Sequence, residues 1–80
     1  MPRKFSKDAA GEVFGTTVRR LREKHGWTQE ELAERADMSA TYLGFIERGE
    51  NVPTLTIILK LAEALRSTPA ELIEETWRKR

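Results

Sequence analysis

Gln29-Glu30-Glu31-Leu32-Ala33-Glu34-Arg35-Ala36, then Asp37-Met38, then Ser39-Ala40-Thr41-Tyr42-Leu43-Gly44-Phe45-Ile46-Glu47-Arg48: this stretch reads as a short helix that stops, turns sharply and restarts. Leu32, Ala36, Leu43 and Ile46 recur at helical spacing and face one interior. Ala33 is small where the second helix must cross closely. Asp37 falls at the turn, where a residue that tolerates the left-handed backbone region is needed.

Working outward, caps and periodicity divide the chain into five helices. The first covers residues 7–25, with Phe14, Val18 and Leu21 on one face, Gly26 as its stop and His25 in its last turn. Thr28 opens the second, with Glu31 three residues on as a capping-box partner. The third opens at Ser39 and closes at Gly49, and Glu50-Asn51-Val52-Pro53 forms a loop. The fourth runs over 54–65, and the fifth starts from Thr68 with Pro69 at its first position and Glu71 as box partner. No strand pattern or repeat interrupts them, so the expected fold is all-α, a compact five-helix bundle. Each glycine in a helix interior costs about 1 kcal/mol against alanine. Gly15, beside Phe14, therefore suggests close packing of another helix, and Gly11 is expected to mark the true helix start. The implied division is a basic arm over 1–10 (with Arg3 and Lys4 able to reach along a polyanion), a domain over 11–77 and a basic tail over 78–80.

Eighty residues make one domain, near the lower limit for a core without staples. There is no cysteine, so no disulfide and no thiolate metal site, and the single histidine cannot make a zinc site alone. Hydrophobic residues at 39% and charged residues at 34% fit a folded soluble domain. No apolar run reaches membrane length and no signal segment opens the chain, so a cytoplasmic location is expected. Lys+Arg 14 against Asp+Glu 13 leaves +1, which by itself names no partner. Arg19, Arg20, Arg22 and Lys24 gather on the first helix and Arg78, Lys79 and Arg80 at the end, mostly as a solvated face. Catalysis is not supported: there is no Ser/His/acid or Cys/His arrangement, no phosphate-cradling glycine loop and no paired carboxylates outside helix caps.

Phe14-Gly15-Thr16-Thr17-Val18-Arg19-Arg20-Leu21-Arg22, Gly26-Trp27-Thr28-Gln29-Glu30-Glu31-Leu32-Ala33, Tyr42-Leu43-Gly44-Phe45-Ile46-Glu47-Arg48-Gly49, Pro53-Thr54-Leu55 and Leu61-Ala62-Glu63-Ala64-Leu65 together resemble the phage-repressor (Cro/C1, XRE) helix-turn-helix family over residues 13–73. In style they are similar to the controller proteins of restriction–modification systems. The resemblance implies a lambda-repressor-like DNA-binding domain whose third helix enters the major groove. It places Thr28 and Gln29, at the start of the second helix, on a DNA phosphate. It sets Ser39, Ala40, Thr41 and Phe45 along the leading turns of the recognition helix, with Thr41 on a base edge or phosphate and Ala40 and Phe45 against thymine methyls. Core packing is the alternative for Phe45. Tyr42 either caps a phosphate or packs its ring under the loop, and Arg48 and Asn51 follow as phosphate contacts. Arg22 and Glu47 are implied to form a structural ion pair. Two features depart from the family's pattern: Asp37 stands where glycine is frequent, and the base-facing positions Ala40, Thr41, Gly44 and Phe45 include no Arg, Lys, Asn or Gln.

The fourth helix is apolar almost all round, through Leu55, Ile57, Ile58, Leu59, Leu61, Ala62, Ala64 and Leu65, which predicts cover on two sides. Together with the need for two recognition helices about 34 Å apart, this predicts a homodimer with Ile57, Leu72, Ile73 and Trp77 in its interface. The expected function is a transcriptional regulator, repressor or controller, that binds operator DNA as a homodimer and is nucleoid-associated when bound. It needs no cofactor and shows no small-molecule ligand, so its control falls to concentration and dimerisation. The alternatives are an antitoxin-type autoregulator with a toxin partner, and a protein-interaction helical module that uses Phe45 and Tyr42 without DNA.

Overall fold

The structure, a computed structural model, describes residues 4–80. Five helices follow one another: α1 (Lys7–Lys24), α2 (Gln29–Arg35), α3 (Ala40–Glu47), α4 (Leu55–Ala64) and α5 (Pro69–Lys79). All five begin the same way. The hydroxyls of Ser6, Thr28, Ser39, Thr54 and Thr68 each accept the backbone N–H three residues on, satisfying a donor that the helix itself cannot use. Thr28 with Glu31 and Thr68 with Glu71 complete reciprocal capping boxes.

The first four helices also end alike. A residue at positive φ follows each C-cap: Gly26 (77°), Asp37 (54°), Gly49 (74°) and Arg66 (58°). The next residue then donates back across the turn, as Trp27 to Arg22, Met38 to Ala33, Glu50 to Phe45 and Ser67 to Ala62. Asp37 occupies the left-handed turn expected of it, and Arg66 repeats that conformation between α4 and α5.

The N-terminal boundary differs from the sequence expectation. Ser6 accepts from Ala9 N–H at 3.2 Å and α1 begins at Lys7, so residues 7–10 are helical and Gly11 is an interior, buried position. The cap and the packing of this turn outweigh the weak helix propensity of one glycine. Arg3 of the expected arm lies outside the described residues. At the other end α5 continues through Arg78 to Lys79, which leaves no separate 78–80 tail.

Phe14, Val18, Leu32, Ala33, Ala36, Leu43, Ile46, Leu61, Ala62, Leu65 and Leu72 form one core. α1 packs against both α3 and α5, α2 against α3, and α4 against α5. The α1–α3 crossing is close: a Cβ on Gly15 would stand 2.2 Å from the carbonyl oxygen of Ile46. The α1–α5 contact is fastened by Arg20, whose Nη2 donates to both carboxylate oxygens of Glu75 at 2.9 and 2.8 Å. The Thr17 hydroxyl first, and then Arg20, hold the Glu75 carboxyl down at about 2.

Candidate nucleic-acid interface

The second and third helices present their outer side through α3. Leu43 and Ile46 point into the core with no exposure, while Thr41, Phe45 and Arg48 face solvent. Phe45 is 38% exposed and does not join the core, so the packing alternative for this ring fails. Ala40 and Tyr42 are half-buried and pack against the core's edge, which leaves them narrower outward surfaces. Ser39 is exposed, with its hydroxyl oxygen accepting from Tyr42 N–H at 3.0 Å. Asn51 lies exposed in the bend after α3.

What fixes α3 on the domain is a charged knot beneath it. Arg22 of α1 donates from Nε to Glu47 Oε2 at 2.7 Å and from Nη2 to Oε1 at 3.0 Å, and its Nη1 reaches the Trp27 carbonyl at 2.8 Å. The two side chains are only 11% and 2% exposed. Such a pair survives burial because every nitrogen and oxygen of the two charged groups has a hydrogen-bond partner. The bond to Glu47 pushes the Arg22 pKa further up from its already high value.

Gln29 is drawn into the same knot, a contact that sequence reasoning missed. Its Nε2 donates to Glu47 Oε1 at 3.0 Å, so one amide hydrogen points inward and only the other is left for a ligand. Thr28 is exposed, with hydroxyl and backbone N–H both joined to Glu31.

The basic run on α1 contributes little free charge to this face. Arg19 pairs with Glu23, Arg20 with Glu75 and Arg22 with Glu47. His25 caps α1: its Nε2 lies 2.9 Å from the Leu65 carbonyl, and its ring stacks on Trp27 at 4.1 Å. Arg48, by contrast, swings back over α3. Its guanidinium carbon stands 5.2 Å from the Phe45 ring centroid, and its Nη1 lies 3.0 Å from where a Gly44 Cβ would be. A long cationic side chain therefore lies beside Gly44 and Phe45 on the outer side of α3, where the residues read along the helix offered none.

Two of the four expected dimer residues lie on an open surface. Ile73 and Trp77 are 48% and 61% exposed and line an apolar groove of about 300 Å³ with Phe5, Phe14, Val52 and Ile58. Leu72 does not belong there: it is fully buried in the core, because α5 turns this residue toward the domain interior. Ile57 is half-buried against the same core. Among the described residues the two-sided cover predicted for α4 is not found, since Leu55 and Leu59 on its outer side remain 67% and 47% exposed. Among the described residues no helix is long and apolar enough to cross a membrane, and no group of acidic or histidine side chains could hold a metal ion.

Comparison with known proteins gives a consistent family. The helix-turn-helix family profile matches residues 18–72. The chain is 38% identical over 65 residues to the HTH-type transcriptional regulator y4dJ of Sinorhizobium fredii, covering 81% of this chain and 84% of that one. It is also 38% identical over 65 residues to the control protein C.BamHI of Bacillus amyloliquefaciens, covering 80% of each. The crystal structure of the restriction–modification controller protein C.AhdI from Aeromonas hydrophila superposes with a TM-score of 0.78 at 42% identity, over 80% of this chain and 97% of that one. The chain belongs to the helix-turn-helix family of the Cro/C1 (XRE) type, a family of regulators and not of enzymes.

Proposed function

We propose that this transcriptional regulator of the XRE type binds operator DNA as a homodimer, with α3 of each subunit in the major groove. The observation that carries the reading is the outward projection of Thr41 and Phe45 from a helix whose opposite side is locked into the core. Thr41 supplies a hydroxyl for a base edge or phosphate, Phe45 an apolar surface for thymine methyls, and Ala40 a smaller one beside it. Ser39, Tyr42, Arg48 and Asn51 flank these on the same helix and its exit, in reach of the DNA backbone. At the start of α2, the second amide hydrogen of Gln29 and the hydroxyl of Thr28 face a phosphate, with Glu47 holding the Gln29 side chain in place. The exposed apolar residues Ile73 and Trp77, with Val52 lining the same groove, are the surface for the second subunit. Occupancy of an operator would then block or recruit polymerase, and protein concentration would set the response.

Selection of sequences from a random duplex library by the purified protein tests this. The expected enrichment is a pseudo-palindrome with half-sites about one helical turn apart. Thr41→Ala and Phe45→Ala should each weaken binding to the selected site by roughly 1–3 kcal/mol while keeping the helical circular-dichroism spectrum. A pool that stays unenriched at low salt would refute operator binding and favour the protein-interaction reading.

A further inference from the structure

Glu50, which has no place among the proposed base and phosphate contacts, joins Arg48, Phe45 and Gly44 in one constellation where α3 ends. Glu50 Oε2 accepts from Arg48 Nε at 2.7 Å, and the guanidinium so held lies over the Phe45 ring and across Gly44. Both charged side chains are about half exposed. The position of Glu50 is itself set by the backbone, because its N–H donates to the Phe45 carbonyl at 2.9 Å in the turn that ends α3. A side chain on residue 44 would crowd Arg48 Nη1, so glycine leaves room for this arrangement.

We propose that Glu50 is a specificity-determining residue: it latches Arg48 over Phe45 in the free protein, and insertion of Phe45 into the groove opens the latch. The proposal rests on the DNA-binding reading above. The physical argument concerns which complexes can release Arg48. Non-specific affinity comes from cations neutralising phosphates, each displacing counterions. A latched Arg48 already has a carboxylate partner and adds no such contact. Groove insertion places the Phe45 ring against bases, and the guanidinium covering that ring must leave it. Arg48 then trades the Glu50 carboxylate for a DNA phosphate oxygen, a charge-assisted bond of similar geometry. The cation therefore contributes to the inserted complex and not to sliding or loosely docked ones. Glu50 keeps the two states apart by competing for it.

Salt titrations of wild type, Glu50→Gln, Arg48→Ala and the double variant test this on a mixed-sequence duplex and on a selected site. With Arg48 unlatched, Glu50→Gln should tighten mixed-sequence binding by up to about fivefold per subunit, the range of an exposed charge pair. Its log–log salt slope on that duplex should steepen by about 0.9 per subunit, one phosphate's worth. On the selected site the slope should stay as in wild type. In the Arg48→Ala background, Glu50→Gln should change neither quantity.

An unaltered mixed-sequence slope would overturn the latch. So would a change that persists in the Arg48→Ala background, since that marks plain repulsion between Glu50 and DNA. The free protein offers an independent readout: the Arg48 Nε–H resonance should move on Glu50→Gln without DNA, and a stationary resonance would refute the pair itself. Failure of wild type to bind either duplex would instead overturn the DNA-binding reading, and the release step with it.

Discussion

Glu47→Ala gives the sharpest test of how α3 is held. The carboxylate accepts from Arg22 Nε at 2.7 Å, Arg22 Nη2 at 3.0 Å and Gln29 Nε2 at 3.0 Å, with 2% of the Glu47 side chain exposed. Truncation leaves the Arg22 guanidinium, itself 11% exposed, with the Trp27 carbonyl as the remaining partner the structure gives it. Removing one member of a buried pair costs about 3–5 kcal/mol, far above the 0–1 kcal/mol of a solvated pair. At about 0.05–0.15 kcal/mol per residue, an 80-residue domain has only about 4–12 kcal/mol in total. The variant should therefore lose between about a quarter and all of its stability. Urea unfolding followed by circular dichroism reads this directly. With a slope of about 1 kcal/mol per molar urea, the midpoint should fall by about 3–5 M or the protein should already be unfolded in buffer. The double variant Arg22→Met/Glu47→Leu leaves no unpaired charge at the knot and should recover much of the loss. A cost below about 1 kcal/mol, or a double variant no more stable than Glu47→Ala, would refute the claim that burial of the charge sets the magnitude.

The Gly15→Ala Cβ would lie 2.2 Å from Ile46 O and 2.6 Å from Glu47 O, both backbone atoms. The helices must separate, so a loss of about 1–3 kcal/mol or more in the same urea assay is expected, against the roughly 1 kcal/mol gain that helix propensity alone predicts. Glu75, held at about 2 against an ordinary 4.5, contributes stability that is fully present above about pH 5 and disappears as pH falls toward 2. With Arg20 half in solvent the contribution should be about 1–2 kcal/mol, and Glu75→Gln should remove that part of the acid sensitivity. If the two proteins lose stability in parallel between about pH 5 and pH 2, this attribution fails. On the proposed homodimer, Ile73→Asp should leave a monomer of 9.2 kDa by sedimentation, whereas Leu72→Ala should lower stability by about 2–5 kcal/mol by leaving a cavity. An Ile73→Asp protein that still sediments as a dimer would move the proposed subunit contact away from this face, and a wild type that sediments at 9.2 kDa would remove the homodimer itself.

Rules that act within about four residues made much of this protein legible from its sequence alone. A hydroxyl before each helix, glutamate three residues beyond two of them, and apolar residues at helical spacing dictated five helices and most of the core. Asp37 announced the turn between α2 and α3 because few side chains tolerate positive φ. Leu43 and Ile46 already marked the inner side of α3, whereas Phe45 was left between groove and core until its 38% exposure placed it outside. Docking of whole helices decided the rest. Leu72 and Ile73 are adjacent apolar residues, and only the roll of α5 against α1, fastened by Arg20 and Glu75, buries one and exposes the other. Gln29 and Arg22 both meet Glu47 because α1, α2 and α3 converge there, at sequence separations that no local pattern records. Arg48 stands at the helix exit in the sequence and over Gly44 and Phe45 in space, because a flexible side chain follows the nearest carboxylate and ring. Local rules act through the backbone and are carried by neighbouring letters. Charge pairing and exposure depend on distances through space, which exist only once the helices have packed.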